Sequence, residues 1–331
     1  MSLRDLFAGR ASYDFVPMWR KTLPASAVAA VISLLLLVVV GLNLSIDFRG
    51  GGIFEVPVAD DVDVAEARDA LSDPSVRVQI VENAAGQRSA RIVTGADSLD
   101  GADTLVEELS SLGGVTADDV SFNTVSATWG DQITSKAIRA LLFFFAAVSL
   151  YLAWQLEWRM AAGALVAVIH DLLITAGVYA LFRFEVSPAT VIALLTIMGY
   201  SLYDTVVVYD RIWENELERN ARQQGYTKLV SRSMNHVMMR SINTTITTVL
   251  PVASMLLIGW LVLGGTTLQS FAVALFIGLI LGTYSSLFVA APFLAWLKER
   301  QDPEIAEEDL KERRAIRARK QAETRRADAE R

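Results

Sequence analysis

The 331-residue chain has no cysteine and only two histidines, His170 and His236. Without thiols there are no disulfides, no thiolate metal sites and no cysteine nucleophile, and the redox compartment stays open. Residues 45–134 contain no histidine, and no Ser-His-Asp, metal or phosphate-loop pattern, so enzyme chemistry is not expected there. Charge is absent from Thr22 to Ile46 and again from Ser241 to Leu297. Aromatic residues are absent from the basic tail after Leu297, which argues against nucleic-acid binding.

What fills the uncharged runs is apolar. The chain is 53% hydrophobic, with a mean hydropathy of +0.37. A helix crosses the hydrocarbon core with about 20 apolar residues. On that basis we read six spans, at residues 25–44, 135–155, 160–182, 188–209, 243–263 and 269–296. Gly264-Gly265-Thr266-Thr267 makes the hairpin between the last two. The first apolar stretch is too long for a signal-peptide core and no A-x-A-like site follows it, so it is read as an uncleaved span.

Charge then sets the orientation. Arg4, Arg10, Arg20 and Lys21 precede the first span, six Lys/Arg lie in the loop around 211–240, and eleven follow Leu297. Residues 45–134 carry five Lys/Arg against seventeen Asp/Glu. Basic loops stay inside, so both termini (1–24 and the charged tail 298–331) and a loop at 210–241 are expected to be cytoplasmic. The acidic segment is expected on the outer side of the membrane, with a five-helix bundle at 135–297. The tail, with acids interleaved among its bases, is read as solvated, partly helical and in touch with membrane lipid.

Within 45–134 the pattern is βαββαβ. GGIFEVPV alternates as a strand, DVAEARDALS has helical spacing, and VRVQIVE and RSARIVT are two strands about a turn at Asn83-Ala84-Ala85-Gly86. SLDGADTLVEELSSL is a second helix and DVSFNTVSA a last strand. This order fits a small ferredoxin-like α+β domain that offers an interaction surface. The fold class is therefore an α-helical polytopic membrane protein with one external domain between spans one and two.

Polar residues inside spans are the functional candidates, since a charge at mid-bilayer costs at least about 2.5–3.5 kcal/mol. Asp204 interrupts the fourth span within MGYSLYDTVVVYDR, with Tyr200, Val208 and Arg211 on its face. Asp210 and Arg211 read as interfacial anchors, and Gly199 and Ser201 as helix-packing contacts. In the third span, His170-Asp171 point about 100° apart and are not expected to share a partner; Asp171 is either locally paired or part of a proton path. Arg240 opens the fifth span, followed by Asn243, Thr244, Thr247 and Thr248, a polar stripe suited to a hydrated path. Arg240 is expected to pair with Asp204, and His236 to lie on the surface. In GLNLSIDFRGGG, residues 41–52, the glycines permit a tight turn, and Asp47, Phe48, Gly50 and Gly51 read as a hinge.

Together GLNLSIDFRGG, EWRMAAGALVAVIHDLLIT, GYSLYDTVVVYDRIWEN and MMRSINTTITT resemble, in order, the motifs of SecF-type members of the SecD/SecF family. The resemblance covers about residues 20 to 297; the chain departs from it at Arg49, where the family has a small or hydroxyl residue. It implies an RND-superfamily half-bundle paired with SecD and associated with SecYEG, with SecA and YidC nearby. The implied activity is non-enzymatic: proton-motive force promotes late translocation and release of an unfolded secreted polypeptide. No cofactor is implied beyond a coupling ion, H⁺, and by position Asp204 and Arg240 match the residues associated with proton movement. Two alternatives stay open: an RND-type small-molecule transporter half, and a structural subunit with a static Asp204–Arg240 ion pair.

Overall fold

The computed structural model describes residues 13–59, 62–72, 76–82, 86–95, 101–217, 225–258 and 266–300. The expected turn at Asn83–Ala85, the hairpin glycines 264 and 265, and the tail beyond Arg300 lie outside those residues.

The first long helix, α1, runs Phe15–Val39, about ten residues earlier than the apolar run implied. Asp14 sets its start by accepting a hydrogen bond from the Val16 N–H at 3.1 Å. Gly41, at φ 69°, turns the chain out before residue 44, so Asn43–Leu44 form a short strand, β1, rather than the last turn of a span. One helical turn, α2 (Ile46–Arg49), follows.

The α+β domain comes next, as β2 (Gly51–Pro57), α3 (Val64–Asp69), β3 (Arg77–Glu82), β4 (Arg88–Thr94), α4 (Ala102–Gly113) and β5 (Ser121–Val125). The sheet order is β3-β4-β2-β5, antiparallel throughout. Thus β4 lies between β2 and β3, and the two βαβ units interleave as the ferredoxin-like pattern requires. Alternation places Phe54 and Val56 of β2 and Ala90 and Ile92 of β4 on the buried face, where Leu105 and Leu109 of α4 cover them.

The remaining chain forms α5 (Ala127–Gln155), α6 (Trp158–Phe182), β6 (Glu185–Val186), α7 (Pro188–Glu216), α8 (Tyr226–Ile258), α9 (Thr266–Ser285), a π-helical turn (Ser286–Ala290) and α10 (Ala291–Glu299). Among the described residues six helices are long and apolar enough to cross a membrane, the last running Gln269–Glu299 through the π turn. Of the loop expected at 210–241, residues 210–216 extend α7 and residues 226–241 extend α8. A link the sequence did not announce is the parallel pairing of β1 with β6, Asn43 opposite Glu185 and Leu44 opposite Val186. It ties the entry to the domain to the connection between α6 and α7.

Lipid tails are as apolar as leucine, so helices associate in a bilayer through close packing and polar contacts. Here the close approaches are made by glycine. Ser33 of α1 fills the space over Gly177 of α6, and Ile197 and Ser201 of α7 fill those over Gly278 and Gly282 of α9. The helices α5 and α8 instead expose apolar side chains such as Phe143, Leu150, Leu250 and Leu257.

Candidate functional site: two buried carboxylates among hydroxyls

Asp171 of α6 is 1% exposed and Asp204 of α7 is 8% exposed. Asp171 Oδ2 accepts hydrogen bonds from the hydroxyls of Ser201 on α7 and Ser285 on α9, each at 2.7 Å. Its Oδ1 lies 3.0 Å from Nδ1 of His170. The two neighbours therefore contact each other, despite the divergence expected of adjacent helical positions, because both side chains can bend toward one another. Ser201 is more than a small packing residue, since its hydroxyl joins α7 to Asp171.

Asp204 Oδ1 accepts from the hydroxyl of Ser241 on α8 at 2.8 Å. Its Oδ2 is buried and has no hydrogen-bond partner among the described residues, as is also true of His170 Nε2 and Thr175 Oγ1. Thr205, beside Asp204, shares a 2.8 Å hydrogen bond with Ser286. Ser201, the donor to Asp171, lies about one turn before Asp204 and Thr205 on α7, so this stretch of α7 serves both acids.

The π-helical turn places Ser285 and Ser286 at these two sites. The Ala291 N–H reaches back to the carbonyl of Ser286, five residues earlier. In that register the Leu287 carbonyl would be served by residue 292, which is proline and has no N–H. The Trp19 indole supplies the missing donor to Leu287 O at 3.2 Å, and the Tyr209 hydroxyl donates to Ala290 O at 3.0 Å. Buried carbonyls released by an irregular turn need such partners.

Arg240 does not meet Asp204. Its side chain is exposed and Nη2 donates to the Tyr203 hydroxyl at 3.3 Å, and among the described residues Asp204 makes no ion pair. The reason is register: Ser241, one position on, takes the inward direction that Arg240 was expected to hold. Arg240 instead borders a cavity of about 590 Å³ with Asp210, Arg211, Glu214 and His236. Within it His236 Nδ1 accepts from Arg211 at 3.2–3.3 Å, and Arg211 pairs with Glu214 at 2.7 Å.

The polar stripe is also turned outward. Asn243 and Thr247 are exposed and Thr244 and Thr248 half-buried. The three threonine hydroxyls donate to carbonyls of their own helix, Thr244 to Arg240 and Thr248 to Thr244 at 2.7–2.8 Å and Thr247 to Asn243 and Thr244 at 2.9–3.0 Å. Gly199 is exposed, with open space over it, and does not serve helix packing; Gly278 and Gly282 do.

In the glycine motif, Asp47 accepts from the Ser45 hydroxyl at 3.1 Å and Phe48 is buried beside Val186, Ala193 and Ile197. Gly50 and Gly51 have φ of 74° and 134°. A Cβ on Gly50 would meet the backbone of Ala127, and one on Gly51 the carbonyl of Thr94. The motif is thus a packed corner where the domain leaves the bundle.

A further cluster lay hidden in the sequence. Lys298 Nζ sits 2.6 Å from Glu157 and 3.3 Å from Glu216; Lys298 and Glu216 are buried and Glu157 is largely so. It joins α10, the start of α6 and the end of α7. Each residue flanks a span, where charges read as interfacial, and only the fold brings them together.

The comparisons with known proteins follow the same outline. Residues 105–300 match the family described as protein export membrane protein SecD/SecF, C-terminal. The chain is 41% identical over 298 residues to a protein translocase subunit SecF of Streptomyces coelicolor, covering 89% of this chain and 79% of that protein. A counterpart from Rickettsia bellii is 30% identical over 87% of this chain and 94% of its own length. Among solved structures the chain is similar to SecDF, described as a translocon-associated membrane protein, from Thermus thermophilus (TM-score 0.75, 30% identity). That likeness covers 91% of this chain and 40% of the SecDF chain.

Proposed function

The chain belongs to the SecD/SecF family of protein-export membrane proteins, and on that premise we propose that it couples proton movement at Asp204 to late steps of protein translocation. It is a multi-pass membrane protein and a protein translocase subunit. Its partner in the working unit is SecD, whose spans complete the half-bundle, and the pair acts beside SecYEG, with SecA and YidC nearby. The membrane is the bacterial cytoplasmic membrane, with both termini inside and the α+β domain outside, where the emerging polypeptide is met. The work is mechanical and not enzymatic; the coupling ion is H⁺.

The observation that carries this reading is the shell around the acids. Hydroxyls can donate to a carboxylate and accept from a carboxylic acid, so the serine shell accommodates both protonation states without repacking. Arginine or lysine would fix the charged state, since each is a donor only. Asp204 Oδ2, which has no hydrogen-bond partner among the described residues, is the atom open to a proton. One charge crossing 100 mV supplies about 2.3 kcal/mol, enough to bias a conformational step. Ser241 joins Asp204 to α8, and Ser201 and Ser285 join Asp171 to α7 and α9, so a change of charge is felt by four helices.

The test is Asp204→Asn, expressed with the partner subunit, in inverted membrane vesicles. The expected result is intact assembly with loss of the gradient-dependent part of translocation. Survival of both would make Asp204 a structural acid and sink the mechanism.

A further inference from the structure

Arg49, Arg77 and Arg183 are far apart in sequence, yet they gather where the α+β domain meets the bundle. Two adjoining cavities, of about 220 and 330 Å³, share Asn43, Arg77, Val93 and Arg183 as lining; Arg49 lines the second. All three side chains are exposed, and among the described residues their hydrogen-bond partners are neutral. Arg49 Nη2 donates to Leu42 O at 3.3 Å, Arg183 Nη1 to Val40 O and Gly41 O at 3.0 and 3.2 Å, and Arg77 to the Asn43 side chain. Among the described residues none of the three makes an ion pair. One carboxylate, Glu185, lines the first cavity, which leaves an excess of positive charge.

This concentration runs against its surroundings. Residues 45–134 hold seventeen acids and only five bases, and two of those five bases converge here. On the orientation proposed above, arginines on the outer face are also disfavoured by the positive-inside tendency, so their clustering calls for a ligand. The depth supplies its nature. Arg183 follows the last residue of α6, and it grips the carbonyls just beyond α1. The final turns of these helices expose Val38, Val39, Leu181 and Phe182. Guanidinium forks at the head-group level, above exposed apolar side chains, match a phosphate with acyl chains below it.

We propose that Arg49, Arg77 and Arg183 form a binding site for a phosphate group, borne by an anionic phospholipid head group or taken as free phosphate. Asn43, Gln79, Gln269 and Ser270 supply neutral polar groups around it. An occupant would cross-link the domain, through Arg77, to the span ends, through Arg183, and so hold the domain on the bundle. Arg49, the position where the chain departs from the family pattern, gains a role as the third donor.

The experiment uses the full chain in nanodiscs made of an equal mixture of phosphatidylcholine and phosphatidylglycerol, with the retained lipid counted by native mass spectrometry. The wild type is expected to keep phosphatidylglycerol in preference to phosphatidylcholine. Arg49→Gln with Arg77→Gln leaves Arg183 on its carbonyls and is expected to lose the preference, by about tenfold for each guanidinium removed. Arg68→Gln, in the same domain but lining neither cavity, is expected to keep it. Displacement of the lipid by excess inorganic phosphate assigns the site to free phosphate, and resistance to displacement assigns it to the lipid. Equal retention by the wild type and the double variant overturns the proposal, as does an equal loss in Arg68→Gln. Because no translocation is measured, the result stands apart from the fate of the proton-coupling reading.

Discussion

A serine beside a buried acid and a lysine beside a buried acid do opposite things. The serines around Asp171 and Asp204 can hydrogen-bond to an acid in either form, whereas Lys298, a donor only, is ion-paired with Glu157 and Glu216. Removing one member of a buried ion cluster strands the rest, which typically costs about 3–5 kcal/mol. Lys298→Met is therefore expected to lower the thermal midpoint of the detergent-solubilised chain sharply, and a smaller loss is expected in a Glu216→Gln background. Outside the membrane, Asp119 accepts the Thr116 hydroxyl at 2.7 Å and the Thr116 N–H at 3.0 Å. These bonds hold its carboxyl below the usual range. A depressed folded-state value means the contribution is complete above the unfolded pKa of about 3.9 and is lost as pH falls through the folded one. The destabilisation caused by Asp119→Ala, read as a shift in unfolding midpoint, should accordingly be present at neutral pH and fade as the pH falls below the unfolded value of about 3.9.

At the scale of elements, α7 and α9 are held close by the small residues between them. A Cβ on Gly282 would lie 3.0 Å from Ser201 Cβ, so a larger side chain must push away the residue that donates to Asp171. Gly282→Leu is expected to destabilise the bundle by about 1–3 kcal/mol through overpacking, and to impair gradient-dependent translocation as well. Normal unfolding together with normal translocation would show that the α7–α9 contact is not tight. Sequence patterns did reveal the elements themselves. Alternation located all four strands of the domain sheet, and apolar runs located the six long helices. Their ends were less legible, because helices continue past the apolar run wherever a cap and a packed polar face allow, as α7 does to Glu216 and α8 does from Tyr226. The π turn left one faint trace, Pro292, whose missing N–H matters only in a register that sequence does not reveal.

For the whole molecule, the lack of cysteine is an experimental advantage, since any introduced thiol is unique. Asp103 is exposed on the α+β domain and Lys228 is exposed at the start of α8. In intact cells stripped of any outer barrier, a membrane-impermeant maleimide is expected to label Asp103→Cys, and to label Lys228→Cys only after permeabilisation. The reverse pattern would invert the proposed orientation and place the domain inside.

Composition and period alone determined the six spans, the βαββαβ domain between the first two, and the presence of acids within the membrane. These follow from local rules: residues every 3.6 or every two positions share a face, and charge in an apolar run is conspicuous. The tertiary structure decided which polar groups meet. It gave Asp204 to Ser241 instead of Arg240, gave Asp171 to Ser201 and Ser285, and brought three arginines to one corner. Partners across helices depend on rotation and depth, where a shift of one residue turns a side chain by about 100°. No pattern along a single helix carries that information.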